Sequence, residues 1–572
     1  MPGRNMRRAV ARGILLAALW AAAGGCRALR EPDTGPVPLR RYGAEAARLR
    51  GLPLTREIPV TSEARDAWMA VLEAELDKPE NRRFLEETER LARHFRVLPA
   101  DASLRALYRA LMREQVAAYY DPAKKRIAVV EEPESERPES AVDRALADRF
   151  VYAHEYCHAV EDAHFDLERL TRAALGDLDA NLALTSCVEG NAVLVGADSL
   201  CAAWPVNTAT PLGAFLVSLA GRLDLTDAAG TDLQAYPPFL TGALVRPYLD
   251  GAVFSNRLRR EAGWQALDRV YRERLPVTTA EILFPERRYL RPFQPAEFSL
   301  VPGVAGQGPD AVQPVSTNRL GVLGTALWLG GERLASVRDF GFLRGWLGDR
   351  VFLAEAPDGA TRTVWLSYWE RPGHARAFRK QVLRRLESGA FAGVLHDVRR
   401  EGRLVAAVWM SGPGATEAVC GEEASRALAS RVAAETPSLV ASWWEDLPWP
   451  VSVGPSGCGV LGGWAAELLG GTGFFHVRLA CGGLLRAERT PDRHYWGTAF
   501  GLLRHVGDRR SAFTFWQIPL VASWHAQGQG DGRRFRWTVG GGLVAEGEPG
   551  RVRVLRIPVW RAAPEAGVRK GE

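Results

Sequence analysis

His154-Glu155-Tyr156-Cys157-His158 is the stretch whose residue types and spacing most directly suggest chemistry. It reads H-E-x-x-H. On a helix, residues four apart lie about 40° apart around the axis, so both imidazoles project from one face. Two neutral imidazoles at that spacing can bind one Zn²⁺. Glu155 is then placed to act on water at the metal rather than to bind the metal itself. The chemistry suggested is metal-assisted hydrolysis. A surface helix carrying two unrelated histidines is the plain alternative.

A hydrolytic zinc site needs a third protein ligand and an open fourth position. Two residues offer themselves. His164 lies ten residues after His154, a spacing that works when a glycine ends the helix and lets the chain turn back. Here that position is Glu161, and Glu161-Asp162-Ala163 can continue the helix. On a continuing helix His164 points about 240° away from His158. Glu189, in TSCVEGNAVLVGADSL, is the favoured candidate. Its neighbours are apolar, and an unpaired charge among them would be costly. Cys157 is a poorer ligand, because it points about 100° off its histidine neighbours. Tyr248 is a candidate for stabilising an oxyanion, the role that a hydroxyl donor plays in acyl-transfer sites. A packed tyrosine bonded to backbone is the plainer reading.

These residues need helices to hold them. No Gly or Pro interrupts residues 140–173, so the metal helix is expected to be long, with a second helix carrying Glu189. Upstream, residues 63–97 read as a helical pair broken near Lys78-Pro79, and residues 101–115 as an amphipathic helix. AAYYDPAKKRIAVV then changes period, and Asp121-Pro122 supplies a turn, so it reads as a hairpin. Such a hairpin could take a peptide by strand addition at its edge. TREIPV reads as a short strand. Residues 205–245 are Pro- and Thr-rich between apolar runs and could line a cleft. RPYLDGAVFSNRLRREAGWQALDRVYRERL is helical again.

Several stretches together resemble gluzincin-type zinc metallopeptidases of the kind found in bacterial lipoproteins. They are RGLPLTREIPV (50–60), LPADASLRALYRALMREQVAAYYDPAKKRIAVV (98–130), HEYCHAVEDAHFDLERL (154–170), CVEGNAVLV (187–195), RPYLDGAVF (246–254) and LPVTTAEILFPERRYL (275–290). The resemblance covers about half the chain. It implies Zn²⁺ on His154, His158 and Glu189, with Glu155 as general base and a protein or peptide as substrate. The chain departs from it at two places. Many gluzincins carry an Asp four residues after the ligand Glu, where this chain has Val193, and Phe284-Pro285 stands where His-Pro is expected. The first departure leaves the partner that orients a metal histidine unidentified, and such partners tune affinity and rate. A competing expectation is a non-catalytic envelope lipoprotein. Its zincin scaffold would be degenerate, and its C-terminal β-domain would bind a partner.

The rest of the chain fills out the architecture. Its 572 residues suffice for three or four domains. Residues 1–26 read as an export signal. Arg4, Arg7, Arg8 and Arg12 form a basic start, GILLAALWAAA is an apolar run too short to span a bilayer, and Ala23-Gly24-Gly25-Cys26 resembles a lipobox. Lipid on Cys26 would make the mature protein membrane-anchored. Arg27, where an Asp would signal inner-membrane retention, points to the outer membrane of a bacterial envelope. Cleavage removes those four arginines and takes the formal charge from +6 to +2. With no basic stripe interleaved with aromatics, a nucleic-acid partner is not expected. Six cysteines remain in a compartment that permits disulfides.

The expected fold class is α+β. Residues 27–53 are polar and Pro-containing and read as a tether. Residues 54–298 form a mainly helical zincin-like domain with a small sheet, and 299–318 a Gly/Pro linker. Residues 319–436 carry two β-β-α units, 437–565 an antiparallel β-rich domain of the meander kind, and 566–572 a disordered tail.

Overall fold

The computed structural model describes residues 39–435 except 100, 132–140, 203–205, 222–234, 300–313, 334, 356–358 and 413–421; beyond 435 it describes the backbone of the strands alone. The expected export signal, Cys26 and the expected C-terminal tail therefore lie outside the described residues. No helix among the described residues is long and apolar enough to cross a membrane. The chain is mixed α+β and divides into two compact units, residues 1–440 and 441–572.

In chain order the first unit begins with α1 (Leu39–Arg50), β1 (Val60–Glu63), α2 (Arg65–Leu76), α3 (Pro79–His94) and α4 (Leu104–Gln115). The hairpin follows as β2 (Ala118–Asp121) and β3 (Arg126–Val130). Next come α5 (Ala141–Phe165), α6 (Leu167–Ala174), α7 (Leu178–Leu200) and α8 (Pro211–Ala220). Then follow α9 (Pro238–Ala262), α10 (Trp264–Arg272), α11 (Thr279–Leu283) and α12 (Pro285–Arg288). Strand β4 (Ser316–Asn318) and α13 (Gly321–Gly330) lead into β5 (Trp346–Glu355), β6 (Thr361–Trp369), α14 (Pro372–Leu386), β7 (Leu395–Glu401), β8 (Leu404–Ser411) and α15 (Glu422–Glu435).

Helix α7 is the centre of this unit. It is buried on nearly every face, as its apolar composition requires. Asp177 caps its start by accepting from the Ala180 N–H at 3.0 Å. α5 and α9 both pack against it. β1 pairs parallel to β3 and β2 antiparallel to β3, so β2 is an edge strand of a small mixed sheet.

The second sheet is antiparallel in the order β4-β5-β6-β8-β7, built from the two expected β-β-α units. Strand alternation gives it two apolar faces. Leu428 and Val432 of α15 cover Phe352, Val364, Leu366, Ala406 and Val408. The other face, with Trp365, Val405 and Trp409, shares one core with Leu91 of α3, Phe95 just past its end, Leu182 of α7 and Trp328 of α13. Asp349 pins this junction, accepting from the backbone of Leu320 and Gly321 and from the indoles of Trp346 and Trp365.

Several expectations are corrected. The core does not divide at 299–318, because both sides of that segment contribute to one cluster. Its end is strand: Ser316, Thr317 and Asn318 pair with β5. The tether reading of 27–53 fails over 39–50, which is a helix packed on α5 and α7. Gly43 allows that approach, since a Cβ there would press on the Tyr156 ring. The run 140–173 is two helices. Asp166, at φ 56°, breaks it and accepts from the Arg169 N–H at 3.2 Å. An aspartate can occupy this left-handed conformation and cap locally, so no Gly or Pro is needed. The short strand near TREIPV begins at its last residue, Val60.

The second unit is a thirteen-stranded antiparallel meander, from β9 (Val451–Gly454) to β21 (Ile557–Arg561), each strand paired with its sequence neighbours. It is larger than the small meander expected.

Arg50 gives the first test of this architecture. It is completely buried against Glu161. Arg50→Ala should destabilise the protein by about 3–5 kcal/mol, the usual effect of stranding one partner of a buried ion pair. Denaturant unfolding measures this. A tether residue would change it by less than about 0.5 kcal/mol.

Candidate metal centre

His154 and His158 point from one face of α5, and Glu189 faces them from α7. One donor atom from each lies within 4.8 Å of the others. The two Nε2 atoms are 3.0 Å apart, and Glu189 Oε2 is 3.2 Å from His154 Nε2 and 3.6 Å from His158 Nε2. Ligands at zinc–nitrogen and zinc–oxygen distances on a tetrahedral ion stand about 3.3 Å apart. The spacing therefore fits the group that the residue types imply. Glu189 Oε2 is buried without a hydrogen-bond donor, which a cation would satisfy. Two imidazoles and one carboxylate also leave a fourth position open. His158 and Glu189 keep 12% and 18% of their side-chain surface exposed, whereas His154 keeps 5%.

His164, the alternative ligand, is not part of this group. α5 runs on through Phe165, and His164 bonds through Nε2 to the Pro53 carbonyl at 2.9 Å. Cys157 and Cys187 are free, buried thiols in different core clusters. Burial pushes both thiols well up, which disfavours a thiolate ligand.

What fixes the donors is largely buried around them. Glu161, three residues past His158, takes Arg50 Nε at 2.5 Å and Asn191 Nδ2 at 2.9 Å on one oxygen, and the Tyr271 hydroxyl at 2.8 Å on the other. Asn191 stands two residues past Glu189. Arg50 also pairs with Asp268 at 2.9 Å. This network joins α1, α5, α7 and α10 beside the ligands. The crossing of α7 and α9 is as tight as helices allow. A Cβ on Gly190 would run into the backbone of Gly251, and one on Gly251 into the Ser186 carbonyl. Glycine at both positions lets α9 approach next to the ligand Glu189.

No hydrogen bond within the described residues holds either imidazole from its Nδ1 side: both Nδ1 atoms are buried without a partner. Val193, where an Asp was expected, lies in an apolar cluster with Phe150, Leu194 and Ala252. Ring packing takes that role for His154. Phe150 stacks on it from the preceding turn at 6.0 Å, and Tyr248 of α9 stacks on it at 6.0 Å and 11°. His158 meets it edge-on at 4.7 Å. Tyr248 is thus beside the donors, and Phe150 is a contributor missed in the sequence. The i, i+4 relation to His154 could have shown it.

Glu155 is buried, 2% exposed, and its Oε2 accepts the backbone N–H of Tyr120 on β2 at 2.9 Å. Glu155 and the edge strand are therefore in contact. Compared with protein-family models, with curated proteins and with solved structures, the chain matches none.

The donors also titrate against one another. Burial lowers the His154 imidazole. Burial opposes charge on His158 as well, but Glu189 overcomes it and pushes the imidazole up to about 9. Glu189 is held well below the usual carboxylate range: burial opposes this, and the His158 charge and the two imidazoles beside it outweigh it. Without a metal, a proton on His158 pairs with Glu189. A group whose folded pKa is raised adds stability below its unfolded value of 6.5, and that stability is lost as pH rises through about 9. Chelated protein should therefore melt at progressively lower temperature from pH 6.5 to 9, while zinc-loaded protein should not. Scanning calorimetry with and without chelator checks this. Gly251→Ala should push α7 from α9, cost about 1–3 kcal/mol and weaken zinc binding by about tenfold or more, read by competition with a chromogenic chelator.

Proposed function

We propose that this chain is a zinc-dependent peptidase, carried on an exported lipoprotein anchored through Cys26 in the bacterial outer membrane. The observation that carries the reading is the convergence of His154, His158 and Glu189, with Glu155 on the same helix turn and in contact with the edge strand β2. A zinc ion on that triad supplies Lewis acidity and lowers the pKa of a water molecule. Glu155 takes a proton on its carboxylate and returns it to the leaving amine. Its Oε2 accepts the Tyr120 N–H, which holds the carboxylate beside the triad. β2, the edge strand beside Glu155, receives the peptide through its outward backbone groups other than the Tyr120 N–H, which Glu155 holds. Tyr248, stacked on His154, supports the developing oxyanion. The substrate class is protein or peptide.

The reading has a competitor in a non-catalytic scaffold, favoured by the two histidine Nδ1 atoms without partners. Two variants separate them. Glu155→Gln should keep one zinc per chain and lower kcat on a peptide library by about 10²–10⁴-fold. Glu189→Ala should lose the zinc. Metal analysis by mass spectrometry beside a cleavage assay measures both. Equal cleavage by Glu155→Gln and parent would remove Glu155 from the mechanism. Zinc retained without any cleavage would leave the scaffold reading standing.

A further inference from the structure

Glu155 and Asp162 lie seven residues apart on α5. Two helical turns bring them to the same face, about 10.5 Å apart along the axis. One residue of the hairpin reaches both. The Tyr120 backbone N–H donates to Glu155 Oε2 at 2.9 Å, and its phenol donates to Asp162 Oδ2 at 2.8 Å.

Asp162 is itself held firmly. Its side chain is fully buried, and Lys125 Nζ, from the hairpin turn, donates to the same Oδ2 at 2.6 Å. The Leu167 N–H donates to Oδ1 at 3.1 Å, just past the helix break at Asp166. A buried carboxylate with three donors is a rigid anchor, since each bond to a charged group is stronger than a neutral one. The hairpin is thus tied to α5 at its turn by Lys125 and at its edge strand by Tyr120, both on one carboxylate.

We propose that Asp162 is a positioning residue. Through the Tyr120 phenol it fixes β2 against α5, and so fixes the backbone N–H on which the Glu155 carboxylate rests. The consequence for catalysis rests on the peptidase reading above. The mechanical link does not. A carboxylate that must reach a reacting proton loses rate steeply when its support shifts by fractions of an ångström. The same strand is the edge on which a peptide would lie, so Asp162 aligns base and substrate strand together.

Tyr120→Phe removes the phenol oxygen and leaves the backbone N–H. Asp162→Asn keeps the shape and removes the charge. Both should keep their zinc. Both should speed amide hydrogen exchange at Tyr120 by about tenfold, and Glu155→Ala should do so too. On a peptide substrate both should lower kcat by about tenfold with KM within about twofold. A merely structural Asp162 would instead lower stability and leave kcat per folded, zinc-loaded molecule unchanged. The proposal is overturned if the Tyr120 amide keeps its protection in Tyr120→Phe, or if Glu155→Ala leaves it protected. Should the parent cleave no peptide, the peptidase reading fails alone, and the exchange data still decide the link.

Discussion

A guanidinium with none of its surface in water must be paired, and the pairing of Arg50 with Glu161 organises the region around the site. Burial alone would push the Arg50 proton off; the charge of Glu161 more than reverses this and raises the pKa. The carboxylate is in turn satisfied on both oxygens by Asn191 and Tyr271. Arg50 Nη1 and Asn191 Oδ1 are buried without a hydrogen-bond partner among the described residues, so it is the ion pairs of Arg50 and the three donors on Glu161 that tie these helices together. Because Glu161 and Asn191 stand within three residues of His158 and Glu189, the register that satisfies the network also sets the spacing of the donors. The aromatic rings of Phe165 and Trp264 lie around the guanidinium and keep water from it.

The donors sit in a setting that is electrostatically tense and sterically exact. Three groups that all accept hydrogen bonds converge within a few ångströms, an arrangement favourable only with a proton or a cation among them. Nothing in the described shell hydrogen-bonds the far side of either imidazole. His154 is oriented by Phe150 and Tyr248, and Glu189 by a helix crossing that admits no side chain. Such a centre depends on packing where many metal sites depend on second-layer carboxylates. Its geometry should therefore be sensitive to small changes in volume far from the ligands, above all along the α7–α9 contact.

The five-stranded sheet belongs to this argument as well. One of its faces shares a core with α3, α7 and α13, and Asn318 accepts the N–H of Leu178 at the start of the ligand-bearing helix. The β-β-α units thus brace the base of α7. They belong to one unit, with residues on both sides of 299–318 in its core.

Local pattern alone determined much of this. The i, i+4 histidines, the glutamate at 189 among apolar neighbours, the hairpin around Asp121-Pro122 and the two β-β-α units are written in short-range periodicity, which a single helix or strand pair realises without outside help. Distant partners decided the rest. Residues 27–53 look like a tether because their charges seem to need water, and only Glu161, 111 residues away, makes Arg50 a core residue. Aspartate in place of glycine or proline ended the metal helix, a break that depends on the turn it can cap at position 166. The orientation of His154 came from rings on two helices, and the merging of two expected domains from a shared tryptophan-rich core. Sequence specifies which groups could meet a metal. Their meeting depends on long-range burial, because a charge is tolerated inside only where the fold brings its counter-charge.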